Sequence, residues 1–274
     1  MKSRGLGVAV TLISSFTAWI YCIAVVVLGL IYQAYPGQEH VAILISTLPT
    51  IMMMIAAFAS TVILRVFNRK LVVIVSLAIA IVAGLLILLV DMPLMGVVVC
   101  STLLGIPGGT IASANPTVLA IAAPPALKDK VLGWHNALMM LGMSIFTLLG
   151  GVFAETGRFQ DGYKTVLLLV PVLILAVFYP NVDKNRNLAA AAEMEEANQQ
   201  TQGKEASGGK FPKVAVGMLL LYLVGAVFWN AWFMNSSDYI VNEAQLGTTA
   251  MAGVIGSLCS IAGTISGFVV AFWI

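Results

Sequence analysis

The sequence predicts an all-α polytopic membrane protein, and three observations predict it. The 274-residue chain is 60% hydrophobic and only 9% charged, where a soluble domain carries about 25% charged residues. Its charges are bunched, leaving stretches free of Asp, Glu, Lys and Arg at 5–38, 40–64, 71–90, 92–127, 131–154, 165–182, 214–237 and 244–274. Each is long enough to cross a hydrocarbon core as a helix, which takes about 17–25 residues. Backbone in lipid must satisfy its own hydrogen bonds, so eight helical spans are expected. Alternating barrel strands of about ten residues are not seen.

The first span follows Lys2 and Arg4 and runs on to Ile31 without a small-residue cleavage site, so it is expected to be retained rather than removed as a signal peptide. Between spans two and three, "STVILRVFNRKLVV" concentrates Arg65, Arg69 and Lys70 within six positions. The fourth stretch is too long for one upright helix. Pro107, Gly108 and Gly109 lie inside it and Pro124 and Pro125 end it, which predicts one tilted span over 94–120 and a turn at "APPALKDK". The long hydrophilic stretch 181–213 joins helix-forming "LAAAAEMEEANQQ" to linker-like "TQGKEASGGK". It separates a six-span unit (1–180) from two further spans (214–274).

Eight crossings from an inner N-terminus place twelve of the 14 cations inside: Lys2, Arg4, Arg65, Arg69, Lys70, Lys128, Lys130, Lys184, Arg186, Lys204, Lys210 and Lys213. Arg158 and Lys164 fall outside, and the 12 acids divide evenly. This is the bias of the positive-inside rule, to which Asp and Glu contribute little. The expectation is an integral protein of the plasma (inner) membrane with its N-terminus and central loop cytoplasmic. Cys22, Cys100 and Cys259 lie in apolar spans without metal spacing, and packing explains them. No HExxH, GxSxG, Walker-type loop or CxxC is present, so neither an enzyme nor a metal or other cofactor is expected, and nothing supports nucleic-acid binding.

Six spans, a linker and further spans suggest a repeat. A shift of 207 lays "AYPGQEHV" (34–41) over "VNEAQLGT" (241–248), a match of layout rather than of residues. The stretch "LLGIPGGTIASANPTVLAIAAPPALKDKVLGWHNALMMLGMSIFTLLGGVFAETGRFQDGYKTVLLL" (103–169) carries a Gly-rich fourth helix, a Pro-containing turn, a fifth helix ending in Gly-Gly, and "GY" opening span six. In these features, and in layout over the whole chain, the sequence resembles the major facilitator superfamily. The family's motifs are eroded. Its loop between spans two and three reads roughly G-x-x-x-D-R-x-G-R-[RK]. Here Arg65 takes the Asp position, Val66 the first Arg and Asn68 the Gly, while Arg69 and Lys70 match. Ser101 stands where the fourth-helix motif has Arg, and only Gly150-Gly151 remains of Gly-Pro-x-x-Gly-Gly.

The resemblance implies a six-helix N-terminal bundle plus the first two helices of a second, truncated after span eight, that moves a small organic solute by alternating access, by uniport or coupled to an ion. Arg65, Arg69 and Lys70 would form the gating loop. Trp19, Tyr21, Asn115, Asn136, Met140, Trp229 and Asn230 would line the solute site, with the lipid bilayer as the other partner. Amides, hydroxyls and aromatic faces without charge suit a neutral or amphipathic solute. Polar residues in spans also serve as interhelical hydrogen bonds, worth about 0.6 kcal/mol each on average. Two further features read as structural: "GWHN" with His135 as a helix-end anchor, and Gly253, Gly256, Ser260, Gly263 and Gly267 as a packing stripe. The rival to transport is a truncated or degenerate transporter-like protein, a sensor or an inactive fragment.

Overall fold

The computed structural model describes residues 2–185, 217, 220, 221, 224 and 231–273. Six helices among them are long and apolar enough to cross a membrane: Glu39–Val66, Arg69–Leu89, Leu94–Ala122, Lys128–Thr156, Phe159–Phe178 and Thr249–Ser266. They correspond to spans two to six and eight of the sequence. The first span is the helix Lys2–Ser15 followed by Cys22–Val26 and Leu28–Ala34. Of span seven, the segment 231–243 is described, together with 217, 220, 221 and 224. Trp229, Asn230 and the central stretch beyond Asn185 lie outside the described residues.

The spans run antiparallel in chain order. One end carries Arg65, Arg69 and Lys70 and receives the last turns of spans four and six, and it is called the basic end below. At the far end, the Tyr35 hydroxyl donates to the Met92 carbonyl (2.9 Å), joining the close of span one to the loop between spans three and four.

Span four is one crossing, as expected, with a jog at its centre. Leu104 and Gly105 donate to Ser101 and Thr102 three residues back rather than four, and Pro107 then restarts the helix over Ile106–Ala122. The jog presses span four onto span two. A Cβ on Gly105 would overlap the Pro49 carbonyl, and one on Gly109 the Met53 carbonyl, so only glycine permits this backbone-to-backbone approach. Pro49 lies inside the helix Leu44–Val66 and has no N–H to donate to Ile45 four residues back. The Ser101 hydroxyl donates to that carbonyl instead (2.7 Å), closing from span four the gap that proline opens in span two.

Span eight packs along span five through the glycine stripe. A Cβ on Gly253 would meet the Thr147 carbonyl at 2.7 Å, and one on Gly263 would touch Met140. Ser260 is buried and returns its hydroxyl to Gly256. Gly253, Gly256, Ser260 and Gly263 of the stripe read from the sequence lie in this contact.

Candidate functional site

Span one is where the helical ladder tightens. From Phe16 to Ala24 the amides of Phe16, Thr17, Ala18, Ile20, Cys22, Ile23 and Ala24 each donate to the residue three before, the tighter winding that often marks a hinge or functional segment. Two glycines lie close against this segment: a Cβ on Gly142 of span five would overlap the Phe16 carbonyl oxygen, and one on Gly108 of span four would lie 2.7 Å from that of Ala18. Winding at about three residues per turn moves Ser15, Trp19 and Cys22, spaced i, i+4 and i+7, off a common face. Ser15 turns into the bundle toward His135, Cys22 is buried, and Trp19 is half-buried.

A buried polar knot lies on the basic side of this segment. Asn115 donates through Nδ2 to the Thr11 carbonyl (2.9 Å) and the hydroxyls of Ser14 (3.0 Å) and Ser15 (2.9 Å), and its Oδ1 accepts from Tyr179 (2.7 Å). Ser15 Oγ also meets His135 Nδ1 at 2.6 Å. Spans one, four, five and the end of six are thus joined by side chains that are each 3% exposed or less. Of the helix-end anchor read from "GWHN", His135 is therefore buried rather than interfacial. Trp134 takes the exposed position and His135 turns inward. The i, i+1 offset of about 100° on a helix separates the two, and sequence position alone could not say which faces in.

The other sequence-derived site residues divide between two surroundings. Tyr21 is buried, with its ring centroid 5.7 Å from that of Trp19 and Thr50 of span two beside it. Trp19 Nε1 is buried without a hydrogen-bond partner, and Thr50 Oγ1 is buried next to the Tyr21 side chain. Asn136 is exposed, and Met140 is half-buried against span eight. Ser144 and Thr147 return their hydroxyls to the Met140 and Met143 carbonyls. Trp19 and Tyr21 are thus brought together, Asn115 belongs to the knot, and Asn136 and Met140 lie along span five. Thr50 escaped notice in the sequence because a Thr beside a helix proline carries no signal of its own.

At the basic end, the loop between spans two and three is clamped to residues that follow span six. Asp183 accepts from the Arg69 amide (2.7 Å) and pairs with its guanidinium. Asn68 donates to Asn181 Oδ1 (2.7 Å) and caps the helix Arg69–Leu89 by accepting from the Lys70 amide. Lys70 Nζ donates to the Val177 carbonyl. The carboxylate of this clamp comes from position 183, whereas the family loop motif keeps one at the position of Arg65. Asp183→Ala is expected to lower stability by about 2–3 kcal/mol, because it leaves a largely buried guanidinium whose Nε is already unpaired. A thermal melt in detergent, with Asp183→Glu restoring most of the loss, checks this. An unchanged melt for the alanine variant would refute the clamp.

The family model described as Major Facilitator Superfamily matches residues 7–274. No curated protein matches the chain.

Proposed function

The chain belongs to the major facilitator superfamily, a membrane transporter of that kind, and from this membership we propose that it carries a neutral or amphipathic organic solute by alternating access of two helical bundles. The positive-inside count supports a cytoplasmic basic end. The observation that carries the solute class is the unpartnered Trp19 indole N–H beside Tyr21 and Thr50. An indole N–H buried without a partner is costly, and it is relieved by an acceptor on a bound molecule. Among the described residues, every Asp, Glu, Lys and Arg lies at or near an end of a span, so mid-membrane recognition rests on aromatic faces and neutral hydrogen bonds. A solute with a carbonyl or ether oxygen on an apolar body meets both requirements. Asn136, Met140, Trp229 and Asn230 complete the proposed lining from spans five and seven, and Arg65, Arg69 and Lys70 the proposed gating loop.

The test is uptake into proteoliposomes across a panel of neutral solutes differing by one acceptor oxygen. Trp19→Phe keeps a ring and deletes the donor; Thr50→Val keeps the shape and deletes the hydroxyl. Each is expected to reduce uptake of the preferred solute by about tenfold, the scale of one buried hydrogen bond, while uptake of its oxygen-free analogue stays low throughout. Unaltered uptake in both variants would remove these residues from the site, and absence of uptake for every solute would count against transport by this chain.

A further inference from the structure

Spans one and seven meet at the far end through a seam of neutral groups. Val26, Gly29 and Gln33 recur at spacings of three and four, so one face of span one supplies the first half. Span seven supplies the second half. Ser237 donates to the Val26 carbonyl. Asn242 Nδ2 donates to the Gly29 carbonyl (3.1 Å), and Asn242 Oδ1 accepts from Gln33 Nε2 (2.7 Å). The remaining Asn242 contact, Nδ2 to Asp238 Oδ1 at 2.6 Å, lies within span seven and fixes the orientation of the amide. A Cβ on Gly29 would meet Asn242 Nδ2 at 3.4 Å, so span seven lies directly against the backbone of span one.

The backbone that presents Asn242 is irregular. Tyr239–Glu243 is a π-helical turn, closed by the Ala244 amide on Tyr239 (2.8 Å) and the Leu246 amide on Ile240 (3.0 Å), with Gln245 at φ 49°. Such turns are found mostly at functional positions, because they aim a side chain that regular winding would carry elsewhere. A second contact at this end, Thr248 to Glu155 (3.2 Å), is exposed and joins span five to the loop before span eight. Among the described residues no ion pair crosses the seam.

We propose that Asn242 is the closing residue of a far-end gate: it holds span seven against span one, and the far mouth opens when its bonds to Gly29 and Gln33 break. This rests on the alternating-access reading. Two neutral amides bridging to a carbonyl and to each other suit a contact that must break in every cycle. Deleting one neutral hydrogen bond shifts a two-state population by roughly two- to tenfold, whereas a buried ion pair would hold the mouth far more firmly.

The experiment places spin labels at Gln38→Cys and Leu246→Cys, both exposed, in a full chain whose Cys22, Cys100 and Cys259 are alanine. Distances are measured by double electron–electron resonance in nanodiscs. Asn242→Val, which deletes both seam bonds of the amide, is expected to raise the long-distance population by roughly five- to a hundredfold, Gln33→Ala, which deletes one, by roughly two- to tenfold, and Thr248→Val to leave it unchanged. Two populations in the parent with no shift in Asn242→Val would overturn the gate and leave alternating access standing. An equal shift from Thr248→Val would also overturn it, since any far-end contact would then serve. One short distance in the parent and in every variant would overturn both the gate and the reading beneath it.

Discussion

Gly142→Ala is expected to destabilise the protein by about 3 kcal/mol or more, at the upper end of what one added methyl does to a packed core. The new Cβ would overlap the Phe16 carbonyl oxygen, which belongs to backbone and cannot swing aside as a flexible side chain would. Relief requires span five to withdraw from span one, and span one is also packed closely at Ala18 against Gly108 of span four. A loss of that size lowers a thermal midpoint by roughly 6–12 °C. Gly5→Ala is the matched control: it too lies in a helix, with nothing within 4 Å of the new methyl, and alanine there should be neutral or stabilising by up to about 1 kcal/mol. Melting of both variants in one detergent decides it, and coincident curves would show that the close approach at Gly142 is absent in solution.

Asn115→Leu should be nearly as severe, for a different reason. At the membrane average of about 0.6 kcal/mol per bond, the two N–H groups of Asn115, shared among three acceptors, and the one bond to its Oδ1 would contribute roughly 1.8 kcal/mol. The substitution also leaves the Tyr179 hydroxyl buried and unpaired, adding about 1–3 kcal/mol. A total loss of about 3 kcal/mol or more is expected. Tyr179→Phe, which removes that hydroxyl, should recover about 1–3 kcal/mol in the Asn115→Leu background while costing stability in the wild type. Additive behaviour of the two substitutions would contradict the contact.

Most of the bundle was legible in the sequence because lipid makes hydrophobic length decisive. The charge gaps mark spans two to six and eight, and the crowded positives at Arg65, Arg69 and Lys70 mark a single end. The internal winding of a span was not legible. Nothing in "SSFTAWIYC" announces that its amides reach back three residues instead of four, or that glycines of spans four and five, more than 80 positions away, lie against its carbonyls. Trp19 and Tyr21 were found as polar and aromatic residues in an apolar span, a signal carried by composition. Asp183 and Asn242 were not found, because each acts across more than 100 positions of sequence and looks locally like an ordinary loop residue.

The hydroxyl of Ser101 has a consequence for the order in which substitutions can accumulate. Ser101 stands where the family resemblance places an arginine, yet its oxygen is committed to the Ile45 carbonyl that Pro49 leaves without a donor. A residue at position 101 without a hydrogen-bond donor would strand that carbonyl in an apolar interior while the proline remains. With an amide hydrogen at position 49, the serine is released from that duty. Pro49 and Ser101, 52 positions apart, are therefore coupled, and the cost of exchanging the serine depends on whether the proline is exchanged first.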